Sequence, residues 1–152
     1  SASTKTRLAK PAATSILQMT SAGTPSWRSI TLTVQMQIVD ISIQTDTVSG
    51  IGYFFIPSNL NGYNLTRAQA MTLVAGTTNA TTVQVRNLTK HSGNDALSVA
   101  ISIASGATVG TAGTVNTSYD AVSTDDKIKV YVTGQSTTKP YGLNVILEYT
   151  LP

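Results

Sequence analysis

From Ile30 the chain alternates apolar and polar residues without interruption, with Ile30, Leu32, Val34, Met36 and Ile38 set against Thr31, Thr33, Gln35 and Gln37. Successive side chains of a strand point to opposite faces, so the run predicts a strand with one face buried. After Ile38 the apolar set moves one place, to Val39, Ile41 and Ile43. A pleat cannot change faces on its own, so the shift requires a bulge or a break near Asp40. Shorter candidates follow. Gly52 to Ile56 is an aromatic run closed by Pro57, and Leu65 to Val74 alternates loosely, a strand in preference to a short helix over Tyr63 to Met71. Thr81 to Leu88, Leu97 to Ile103, Ile128 to Val132 and Leu143 to Tyr149 complete the set.

Turn formers separate these segments at Asn59 to Gly62, Gly76 to Asn79, Ser92 to Asn94 and Gly134 to Thr138. About seven to nine short strands joined by polar turns predict an all-β fold, an antiparallel β-sandwich of jelly-roll type. The stretch from Ser105 to Thr124 is long and polar, and Gly106, Gly110 and Gly113 make it flexible unless it packs on a neighbour. A strand hidden around Val109 to Val115 describes it equally well.

Residues 1–28 behave differently. They show little periodicity, and Pro11 and Pro25 oppose a continuous helix. The expectation is an extended N-terminal arm over 1–28, followed by a sandwich domain over 29–152. Composition reinforces both halves of this picture. Hydrophobic residues make up 41% of the 152, enough for a core, whereas charged residues are only 11%. Their place is taken by 25 Thr and 16 Ser, and β-branched Thr suits a half-exposed pleated surface. Without cysteine there are no disulfides and no thiolate metal sites. No apolar run approaches the length of a membrane span, and the opening residues lack the h-region of a secretion signal.

Charge is uneven. Lys5, Arg7, Lys10 and Arg28 all precede the first acidic residue, Asp40, so residues 1–28 carry +4 and the remainder carries −1. Four cations spread over 28 residues, with no aromatic before Trp27, are sparse for nucleic acid. A tail docking on an acidic protein neighbour requires no more, and Lys5, Arg7, Lys10, Trp27 and Arg28 are the expected contact residues.

Candidate chemistry is thin. His91, the single histidine, lies in a Lys90 to Asp95 turn, where a general base would need both an orienting partner and a positioned nucleophile. A solvated loop residue accounts for it. Asp125 and Asp126, with Asp120 nearby, would suit Ca²⁺ only with a ligand spacing that is absent; an Asp pair before a strand ordinarily builds a turn. The expectation is no catalytic residue, no metal and no cofactor. Among the nine aromatics, Tyr53, Phe54 and Phe55 are consecutive, so at least one of them leaves the main core. An outward ring would serve a subunit interface or, alternatively, a platform for sugar rings.

Two segments resemble a known group. Ala13 to Trp27, ending in Pro25-Ser26-Trp27, is similar to a hinge motif of tailed-bacteriophage fibre and virion surface proteins. Gly52 to Pro57, Leu60 to Leu65, Ala75 to Asn87, Asp125 to Val130 and Lys139 to Leu143 resemble a β domain of phage structural proteins, so that the likeness spans most of residues 13–147. The resemblance implies a place at the virion surface, as a capsid decoration or head-fibre protein, and no enzymatic residues. The arm would anchor to the major capsid protein or another virion protein, and copies would associate, a homotrimer first. A receptor-binding tail-fibre tip recognising bacterial surface glycan is the alternative; neither nucleic acid nor a membrane is expected as a partner.

Overall fold

The computed structural model describes residues 8, 9 and 15–152. It is all-β and antiparallel throughout. Two short strands, β1 (Ser15–Met19) and β2 (Pro25–Ser29), pair with each other. The long alternating run becomes β3 (Thr31–Gln44), followed by β4 (Ile51–Phe55), a 3-10 turn at Ser58–Leu60, β5 (Asn64–Val74) and β6 (Thr81–Asn87). The short strands β7 (Leu97–Val99), β8 (Ile101–Ile103) and β9 (Thr114–Val115) precede β10 (Lys127–Gly134) and β11 (Tyr141–Thr150).

Hydrogen bonding arranges the larger strands into a three-stranded sheet, β3-β11-β5, and a four-stranded sheet, β4-β10-β6-β8. Their inner faces share one hydrophobic cluster. Val83 and Val85 of β6, Ile101 and Ile103 of β8 and Val130 of β10 meet Leu143, Val145, Leu147 and Tyr149 of β11, all essentially without solvent exposure. The arrangement is consistent with a β-sandwich. Gly52 sets the spacing between the sheets at one point, since a Cβ there would fall 2.6 Å from Ile38 Cδ1 and 3.2 Å from Met36 Cε.

The predicted face change in β3 is present as a bulge. Gln37 pairs with Asn144 and Val39 with Leu143, so Ile38 has no residue opposite it. Val39 turns into the core while Ile41 and Ile43 end up outside. Other expectations are revised. Leu97 to Ile103 is not one strand but two, because the chain leaves β9 after Val99 and joins β6 from Ile101.

The Ser105 to Thr124 stretch is not a free loop: of the strand expected around Val109 to Val115 it holds β9, at Thr114–Val115. It zips along both sheets through bridges Val109 to Met71, Thr111 to Ser102, Gly113 to Ala68 and Ala121 to Asn64. Gly110 and Gly113 are there for close approach rather than flexibility: a Cβ on Gly113 would meet Leu97 Cδ1 at 2.7 Å, and one on Gly110 would meet Ile103 at 3.0 Å. Their amides donate to Ala70 O and Ala68 O, at 2.9 and 3.0 Å, covering the open edge of β5. The opposite strands of the two sheets, β3 and β4, have no such cover among the described residues.

The extended arm is corrected in part. Ser15 to Ser29 folds back on itself as a hairpin instead of running free, closed by a Thr20 to Thr24 turn in which Gly23 adopts φ 74°. Thr20 Oγ1 accepts the Thr24 amide at 3.2 Å, fixing the turn without the Asn-Gly pair that would advertise it. Lys5, Arg7 and Lys10 lie outside the described residues.

Candidate functional site

Two surfaces stand out. The first is the hairpin. Directly opposed residues of an antiparallel pair share a face, so Leu17 with Trp27 and Met19 with Pro25 form one apolar side. None joins the core cluster, and Met19 is 64% exposed. A two-stranded hairpin without a covered face is marginal in water. Trp27 Nε1 donates to Ala9 O at 2.8 Å, tying the chain just upstream to the indole. Arg28 lies on the other side, opposite Ile16, so the two expected contact residues described here face in opposite directions.

The second surface is the outer face of the four-stranded sheet. The register sets Phe55 beside Lys127, Tyr53 beside Lys129 and Arg86, and Ile51 beside Tyr131 and Gln84, all pointing away from the core. Phe54 points inward, so of the three consecutive aromatics two leave the core, with Tyr53 50% and Phe55 64% exposed. Lys127 Nζ lies 4.8 Å from the Tyr53 ring centre and Lys129 Nζ 4.5 Å from that of Tyr131. Such cation–π contacts contribute on the order of 0.5–1 kcal/mol at exposed positions. Neither lysine is ion-paired with a carboxylate among the described residues.

Tyr131 is held in place. Arg86 Nη2 donates to its hydroxyl at 2.7 Å, the hydroxyl donates to Asp95 Oδ1 at 2.7 Å, and Arg86 Nε donates to the same oxygen at 2.8 Å. Partial burial, then the bond to Asp95, pushes the Tyr131 phenol up to about 12. The hydrogen bond to Asp95 also raises the Arg86 guanidinium above its ordinary value.

The remaining candidates are structural. His91 stacks at 5.0 Å on Tyr119. Asp126 accepts Asn87 Nδ2 and the Ser123 amide, both at 2.8 Å, and Asp125 adopts φ 66°, which is a turn ahead of β10. Burial raises the Asp120 carboxyl above its ordinary value. No three His, Asp or Glu side chains converge among the described residues, and no pocket opens among them. No helix of the described residues is long and apolar enough to cross a membrane.

The aromatic positions were legible beforehand as chain neighbours. Asp95, available in sequence as a partner for His91, instead holds Arg86 and Tyr131, and only the pairing of β10 between β4 and β6 brings Lys127, Lys129 and Arg86 together with it. Comparison with protein-family models and with curated proteins finds no match to this chain.

Proposed function

We propose that this chain is a non-catalytic structural module of a tailed-phage virion surface, docked through its N-terminal hairpin with the β body facing outward. The observation that carries the reading is the hairpin's apolar side of Leu17, Met19, Pro25 and Trp27, which no core residue covers among the described residues. Burying each large side chain against a partner would contribute about 1.5–3 kcal/mol, enough to order a segment that cannot cover itself. The basic residues before it and the resemblance of Ala13 to Trp27 to a fibre hinge point the same way.

The body fits a jelly roll. The orders β4-β10-β6-β8 and β3-β11-β5, with the 109–121 segment bridging to β5 in the place of a fourth strand, support that topology. Association of copies, a trimer first, draws support from exposed Ile41 and Leu73, which flank Gly142 on the outer face of the three-stranded sheet.

Removal of residues 1–29 tests the anchor. The truncated body is expected to keep its fold and to be lost from particles. Unchanged occupancy on particles would overturn the reading.

A further inference from the structure

Independently of how the chain is anchored, we propose that the outer face of the four-stranded sheet binds an acidic polysaccharide, with Lys127 and Lys129 pairing with its carboxylates and Phe55 and Tyr53 packing on its sugar rings. Three observations carry this. First, the face is rigid: its residues sit on paired strands, and Tyr131 is clamped by Arg86 and Asp95. Side chains two apart on one strand are about 7 Å apart and neighbouring strands about 5 Å, so the Phe55, Tyr53 and Ile51 rows form a flat strip about 14 Å long.

Second, the charge is uncompensated. Arg86 is neutralised by Asp95, but the two lysines have only rings beneath them. Outside this face, residues 29–152 hold three cations against six carboxylates, and Arg67, Lys90 and Lys139 are each ion-paired, so unpaired positive charge among residues 29–152 is confined to this strip. Such a field draws an anion to one place.

Third, the apolar component is aromatic and open. No cation lies over Phe55 among the described residues, leaving one ring face free while the lysine over Tyr53 can swing to an anion. A flat ring beside a cation matches a polymer that alternates C–H faces with carboxylates. Single-stranded nucleic acid would also stack, but its phosphates repeat along the whole strand and need a basic track. Here the unpaired cations among residues 29–152 are Lys127 and Lys129 alone, too few for such a track.

The test is affinity electrophoresis of the full chain through gels containing polygalacturonate, hyaluronate, polysialic acid or neutral dextran. Retardation is expected with at least one acidic polymer and none with dextran. F55A, at an exposed position, and the K127Q/K129Q pair, at half-buried positions outside the core, are each expected to weaken it about tenfold or more without changing the melting temperature. The proposal falls if none of the three acidic polymers retards the protein, or if dextran does so equally. It falls too if F55A leaves retardation intact, which would mean simple ion exchange, or if an oligothymidylate binds more tightly than every saccharide.

Discussion

The hairpin at Ser15–Ser29 and the body from Thr31 onward are made of the same material, antiparallel strands rich in Thr and Ser, yet they differ in what holds them. In the body, every second residue of β6 and β11 is buried against the facing sheet, and the core defines the register. In the hairpin, the apolar residues line up as well, Leu17 on Trp27 and Met19 on Pro25, but join no core among the described residues, and only Trp27 is partly shielded, bonding Ala9 O. Alternation produces a strand in both; burial makes only one of them self-sufficient. The difference separates a part with its own core from a part whose apolar side joins none among the described residues.

The comparison breaks most visibly at the core. Leu147→Ala, at a fully buried position of β11, is expected to cost about 2–5 kcal/mol in urea unfolding. A loss below about 1 kcal/mol would mean that the two sheets do not share a tight core. Next comes the space between the sheets. Gly52→Val would drive a side chain into Ile38 and Met36 and is expected to cost about 1–3 kcal/mol by the same measurement.

Thr72→Val has the opposite sign. Its Oγ1 is buried with no hydrogen-bond partner among the described residues, so the near-isosteric apolar side chain is expected to raise stability by about 1 kcal/mol. Unfolding that shows no gain would imply that a bound water already serves the hydroxyl.

Acid acts most strongly at the corner around Asp46. The bond from Lys139 Nζ, 2.8 Å away, and the amides of Ser49 and Val48 hold the Asp46 carboxyl well below its ordinary value of 3.8. A depressed folded-state value stabilises above the ordinary one and is lost as pH falls through the folded one. Asp46→Asn is therefore expected to lower the urea midpoint at neutral pH and to flatten its decline below about pH 4. An acid limb as steep as that of the unaltered protein would contradict this.

The smallest effect on stability is expected in the hairpin. Leu17→Ser with Trp27→Ala should leave the unfolding of the body within about 0.5 kcal/mol, because neither side chain touches the core. The same double variant is expected to lose attachment, read as occupancy on purified particles. A large destabilisation would show that the hairpin belongs to the body after all.

Legibility in the sequence followed the same division. The alternation of Ile30 to Ile38 and the slip after it determine β3 and its bulge, because local pattern and burial agree up to Val39, although Ile41 and Ile43 beyond it end up exposed. The hairpin was missed because five-residue strands offer too few periods and its Thr20 to Thr24 turn carries no standard turn pair. Leu97 to Ile103 read as one strand because alternation reports the pleat but not the partner, and the partner changes at Ala100. For the outer sheet face, Tyr53 and Phe55 could be seen leaving the core. Their meeting with Lys127, Lys129 and Arg86 depends on a long-range register that no local pattern encodes.

The glycine-lined segment over 109–121 carries one more consequence. By hydrogen-bonding along β5 and touching β8 at Ser102, it blocks that flank to strand addition, while β3 and β4 keep unpaired edges on the other among the described residues. Exchange of backbone hydrogen bonds between molecules then has one entry side instead of two.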